Sequence, residues 1–223
     1  MPEPSGSKKP DCGRFPGYDV LLKRNTPSWN EQTRQVIDRR LATPREPRFL
    51  NEREWRTLNA VSGRIIPQPG HRPPVPIAAL VDGKLLTNAG DGYRNARMPP
   101  LREAWRRGLS ALDAEADKAH GLPFHRLSAD DMDALLTRAQ KGELKSEAWG
   151  GMPCDLFFKE RLLHDIVHAY YSHPSSWNEI GWGGPASPRG YVRMGFDRRD
   201  PWEAAEVHDG DMEGALKENL RVR

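Results

Sequence analysis

The sequence predicts an all-α fold. Apolar residues recur at three- and four-residue spacing in segment after segment, almost no stretch alternates with a period of two, and Pro, Gly, Ser and Asn stand where helices begin and end. A length of 223 residues suits one domain with arms. Hydrophobic residues make up 37% of the chain, enough for a core, while 20 glycines and 20 prolines require much irregular backbone between helices. The expected architecture is a compact bundle of about five to six helices, with an extended N-terminal arm and a long irregular C-terminal segment rich in Gly, Pro and Trp.

Residues 1–27, rich in Pro, Gly and charge, read as the arm, with Tyr18-Asp19-Val20-Leu21-Leu22 as a short docking patch. Ser28 is placed to cap a helix to about Leu41, with Trp29, Val36, Ile37 and Leu41 on one face, and Thr43-Pro44 ends it. Asn51 caps the next, in which Trp55, Leu58, Val61, Ile65 and Ile66 recur at helical spacing up to Pro67. A Pro-rich crossing leads to the short apolar stretch Ile77 to Val81, and 88–99 is loop by composition. Pro100 opens a long helix burying Trp105, Leu109, Leu112 and Ala116, with Gly121 as the stop. Ser128 and Asp131 form a capping signal for a helix carrying Met132, Leu135, Leu136 and Ala139. Pro153 opens the most apolar helix, whose Leu156, Phe157, Leu162, Leu163, Ile166, Val167 and Tyr170 occupy more than one face, so it belongs at the centre. The resulting division is an arm at 1–27, a helical domain at 28–172, an irregular segment at 173–202 and a polar, fraying tail at 203–223.

Charge and composition exclude several classes. Lys and Arg number 34 against 31 Asp and Glu, a formal net charge of +3, too small a surplus for a nucleic-acid binder. No run approaches the ~18 apolar residues of a membrane span. The N-terminal residues lack the apolar stretch of a signal peptide and an Arg pair before one. On its own sequence the chain is therefore expected to be cytoplasmic, and periplasmic only if co-exported with a partner. Cys12 and Cys154 are too few for a disulfide framework or a zinc knuckle.

The sharpest catalytic-looking string is Leu162-Leu163-His164-Asp165-Ile166-Val167-His168. An adjacent His-Asp pair on an apolar helix resembles the HD-type metal-dependent phosphohydrolases, and Glu160, His164 and His168 stand four apart, facing one side. That alternative reading needs an upstream His and a downstream Asp. His120 and His125 fall in a loop, and Asp197 and Asp200 in the irregular segment. The competing reading is that these are helix residues with ordinary polar partners. Gly181-Trp182-Gly183-Gly184 follows a helix, not a strand, so it is no dinucleotide loop. No Walker loop, G-x-S-x-G or C-x-x-C-H is present.

Residues 173–202 contain three Trp and four Arg without helical period. About 30 residues of such backbone mean function or disorder, and Trp177, Trp182, Tyr191, Phe196 and Trp202 argue against disorder. Either a second polypeptide shields them or they wrap back over the chain's own helices. Trp, Tyr and Arg anchor protein interfaces, so Trp177, Trp182, Arg189, Tyr191, Arg193, Arg198 and Trp202 are the candidate partner-contacting residues, with Arg199 beside them.

From about residue 50 to 202 the order of features resembles the gluconate 2-dehydrogenase subunit 3 family. The matching pieces are Leu50-Asn51-Glu52-Arg53-Glu54-Trp55, Arg64-Ile65-Ile66-Pro67, Leu112-Asp113, Gly121-Leu122-Pro123-Phe124, Phe157-Phe158 and Tyr171-Ser172-His173-Pro174. Most specific is Trp177-Asn178-Glu179-Ile180-Gly181-Trp182 running through Gly183-Gly184-Pro185 and Arg189-Gly190-Tyr191. The resemblance implies a helical, non-catalytic small subunit that supports folding, cofactor loading or export of a large FAD-carrying oxidoreductase of the glucose-methanol-choline (GMC) type acting on a sugar, sugar acid or glycoside. FAD is then expected on the partner, with a cytochrome c as electron acceptor in such complexes, and this chain carries no catalytic or cofactor-binding residue. Many family members begin with a twin-arginine signal; this sequence begins without one.

Overall fold

Local sequence chemistry sets the helix ends. In the computed structural model, which describes residues 13–70, 72–195 and 198–222, the chain is all-α; the described residues form no strand, only an isolated bridge between Trp29 and Ser187. The helices are α1 (Glu31–Leu41), α2 (Glu52–Ile65), α3 (Ile77–Thr87), α4 (Leu101–His120) and α5 (Ala129–Gln140). Then follow α6 (154–171), α7 (Pro174–Ile180) and α8 (Met212–Asn219). Within α6 a π-helical stretch, Phe158–Leu163, separates the α-helical segments Cys154–Phe157 and His164–Tyr171. Phe196, Asp197 and Cys12 lie outside the described residues.

The backbone divides into two units, one of residues Ala42–Ser172, the other of both chain ends, Met1–Leu41 and His173–Arg223. In the first unit Asn51 and Glu54 close a capping box on α2, each side chain bonded to the other residue's backbone N–H. Gly121 ends α4 in the left-handed conformation, and the Ser128 hydroxyl accepts the Asp131 N–H to start α5. α4 and α6 supply the centre of the core. Trp105 and Trp149 both meet Phe157 edge-on at 5.8 Å, and Gly108 leaves room for that ring, since a Cβ there would sit 2.1 Å from it. Three buried carboxylates organise the connections. Asp82 accepts the N–H groups of Arg48, Phe49 and Leu50; Asp113 accepts from Thr57 and the Phe124 N–H; Glu115 accepts from the Ser146 N–H and Trp149 Nε1.

Several sequence expectations need correction here. The apolar stretch from Ile77 is a full helix, α3, buried on more than one side and so without an amphipathic period. Asn30, not Ser28, caps α1: its side chain accepts the Thr33 N–H, while the buried Ser28 hydroxyl accepts from Arg189. Residues 173–202 are not wholly irregular, because His173 caps the Ser175 N–H and Pro174 opens α7. The tail does not fray: α8 is held by Asn219, which bonds the Ala205 backbone in both directions and donates to the Pro16 carbonyl. α1 groups with the chain ends rather than with the helices after it, because Ile37 packs with Tyr18, Val20, Trp29, Trp177 and Val222 in a separate small core.

Candidate functional site

The Gly-Trp-Gly-Gly run builds the floor of a cleft within the terminal unit. Gly181 stops α7 at positive φ, and a Cβ there would meet the Phe15 ring at 2.5 Å. At Gly184, also left-handed, a Cβ would lie 2.9 Å from Val20 and 3.3 Å from Trp177. Glycine is thus required where the two chain ends approach. The carbonyl of Trp182 accepts from the Tyr18 hydroxyl at 3.3 Å, and that of Gly183 from Lys23 Nζ at 2.8 Å.

Lys23 is a buried cation in a segment read from sequence as an extended arm. Burial, helped by the neighbouring Arg189 charge and opposed by Glu203, pushes its ammonium from 10.5 down to about 8. Burial also holds the Tyr18 phenol well above its ordinary range, with Asp19 adding to the shift. The only sequence signal for either was the Tyr18–Leu22 patch.

Most of the arginines and aromatics expected at an interface converge on this cleft of about 340 Å³, whose lining includes Trp182, Arg189, Tyr191, Arg193 and Trp202. The Arg189 guanidinium lies 4.2 Å over the Trp202 ring and donates to Ser28; burial lowers its pKa. Arg193 donates to Glu203 at 2.8 Å, and Arg199 to the Glu203 carbonyl and to Glu218. Asp200, buried, accepts the Met194 and Gly195 N–H groups, which fixes the loop carrying Tyr191. Tyr191 is 71% exposed, with Val192 and Met194 equally open, and Arg198 is exposed. Trp182 is 41% exposed and meets Trp177 edge-on at 4.8 Å. Trp177 itself is 1% exposed, so this candidate contact is instead the plug of the terminal core. The two alternatives left open for this segment divide by residue: Trp177 folds back onto its own chain, while Trp182, Tyr191 and Arg198 face outward.

The His-Asp string is organised by lysine. Asp165, with no exposed side-chain surface, accepts Lys84 Nζ and His164 Nδ1 on one oxygen, each at 2.9 Å, and Trp105 Nε1 on the other at 2.9 Å. Lys84 also donates to Asp91. Partial burial raises the Asp91 carboxyl, but the Lys84 ammonium, with His164 and His168, outweighs it and the pKa falls below the ordinary value. His164, half exposed, stacks parallel to His168 at 6.3 Å, and Glu160 accepts from Asn95. Among the described residues one trio has ligand atoms close enough together to share an ion: Asp91, His164 and Asp165. Glu160, His168, His120, His125 and Asp200 are not part of it. The ammonium of Lys84 already bonds both carboxylates of that trio, so a metal there must displace a cation the protein supplies. As it stands the arrangement is a buried ion pair anchoring α3 and α4 to α6.

The described residues thus form all-α units whose polar constellations tie helices together and whose exposed aromatics Trp182 and Tyr191 gather beside arginines. The family model for gluconate 2-dehydrogenase subunit 3 matches residues 52–184, more than half of the chain, and the protein belongs to that family. No curated protein and no solved structure matches it. Among the described residues no helix is long and apolar enough to cross a membrane.

Proposed function

We propose that the chain is the non-catalytic small subunit of a flavin-dependent dehydrogenase complex. In this proposal it binds and stabilises a large FAD-carrying partner of the GMC type acting on a sugar, sugar acid or glycoside. Family membership carries the dehydrogenase assignment. The observation that favours a binding role is the aromatic-arginine cleft of the terminal unit: Trp182, Arg189, Tyr191, Arg193 and Trp202 supply rings and fork-shaped donors on a loop pinned by Asp200 and Glu203, and Arg198 of the same loop is exposed. Interfaces of obligate subunits bury on the order of 2,000 Å² or more, and mass action then couples the partner's stability to this chain. FAD belongs on the partner in this reading, and a cytochrome c is a candidate acceptor of its electrons.

Co-expression with the flavoprotein dehydrogenase of the native host tests the proposal. The expected result is a stoichiometric complex with a flavin absorption spectrum, and a lower yield of FAD-loaded large subunit when this chain is omitted. Purification of the two as separate species, with the flavoprotein fully loaded and active alone, would overturn it.

A further inference from the structure

A second concave site lies in the helical unit, where α2 ends and α3 begins. Gln68 pins the connecting loop, donating to the Val75 carbonyl at 3.0 Å and accepting the Val75 N–H at 2.6 Å. The loop delivers Pro76 as the residue before α3, and proline offers no side-chain cap. The Ile77 N–H bonds the Val75 carbonyl and the Leu80 N–H the Pro76 carbonyl. Those of Ala78 and Ala79, in the first turn between them, have no acceptor among the described residues. Both residues line a cleft of about 220 Å³.

An independent observation points the same way. The Ser62 hydroxyl, on the α2 wall of that cleft, is buried without a hydrogen-bond partner, and the residue is only 5% exposed. A buried hydroxyl without a partner is destabilising until it finds an acceptor. Arg45 stands at the rim, its guanidinium donating to the Pro74 carbonyl at 3.3 Å, and no acidic side chain lines the cleft. Trp55, Val75 and Ile77 supply apolar wall.

We infer that this cleft binds a carboxylate. Its oxygens would take the Ala78 and Ala79 N–H groups and the Ser62 hydroxyl. The α3 N-terminus and Arg45 supply positive charge, and the ligand's short apolar body rests on Trp55 and Val75. The volume lies below the ~300 Å³ at which pockets for drug-sized ligands begin, which limits the occupant to a short-chain carboxylate or the terminal residue of a peptide. The site is lined entirely by residues of the helical unit and shares none with the terminal cleft, so it holds or fails independently of the dehydrogenase-subunit reading.

The test is an amide-resolved NMR titration of the full chain with butyrate, butyramide, inorganic phosphate, and a tripeptide ending in Val with either a free or an amidated C-terminus. Saturable shifts at Ala78 and Ala79 are expected with butyrate or with the free-acid tripeptide, and the stronger of the two identifies the source. Both neutral amides should leave those signals unmoved. Ser62→Ala and Arg45→Gln should each weaken binding by about tenfold, with the remaining spectrum preserved. The inference is overturned if phosphate binds more tightly than either carboxylate, if the amides bind equally well, or if both variants bind like the wild type.

Discussion

The helical unit and the terminal unit are built by different means. In the former, Leu58, Leu109, Leu112, Phe157 and Ile166 come from long helices, and its carboxylates Asp82, Asp113 and Asp165 bond groups 32 to 60 positions away. In the latter a small core of Tyr18, Val20, Trp29, Ile37, Trp177 and Val222 is assembled from both chain ends, joined by side-chain bonds to backbone that span 158 or more positions. Asn178 accepts the Val20 N–H, Lys23 reaches Gly183, and Asn219 reaches Pro16. Long helices make a scaffold; a spliced, polar, glycine-dependent fold holds irregular loops in place, which is the way binding surfaces are commonly presented.

The largest effects should come from emptying either core. Trp177→Ala and Trp105→Ala should each cost about 3–5 kcal/mol, and amide hydrogen exchange should place the losses differently. Trp177→Ala is expected to strip protection from Val20 and Ile37 while Leu109 and Leu112 keep theirs, and Trp105→Ala the reverse. Simultaneous loss in both units would break the comparison.

The same contrast decides what was readable in the sequence. Asn51 with Glu54, Gly121, and Ser128 with Asp131 are signals contained within one turn, and the helices they bound lie where expected. α3 escaped because apolar residues on several faces leave no period, and α7 because its start depends on His173 folding back over Ser175. Ser28 and Asn30 are equivalent caps on paper; the distant Arg189 engages Ser28, and Asn30 is left to cap. Lys23 was illegible as a core residue, because its acceptor, the Gly183 carbonyl, is 160 positions away. The His-Asp string was visible, but Lys84, which determines its chemistry, gave no signal.

A smaller effect separates ion pair from catalytic centre. Asp165→Asn leaves Lys84 with Asp91 alone and should cost about 2–4 kcal/mol, read as the shift in urea midpoint. His164→Ala, at a half-exposed position, should stay within about 1 kcal/mol. Equal costs for the two would contradict the ion-pair account.

The mildest effect is one of pH. With its folded pKa near 8 and its unfolded value near 10.5, Lys23 binds more protons unfolded than folded between those limits. Stability of the terminal unit should therefore rise with pH across that window, by on the order of 1–2 kcal/mol after solvent screening. Above pH 10 the raised Tyr18 reverses the slope, because the unfolded chain then loses a proton that the folded chain retains. Lys23→Met should flatten the rising limb and leave the falling one. A rising limb that persists in Lys23→Met would remove the buried ammonium from the account.

The central claim is that the terminal unit presents the partner-binding face. Hydrogen exchange of this chain, compared free and in complex with the co-expressed flavoprotein, tests it most directly. The account predicts new protection concentrated at 181–204, around Trp182, Tyr191 and Arg193. Protection gained only within the helical unit, with 181–204 exchanging as in the free chain, would contradict it.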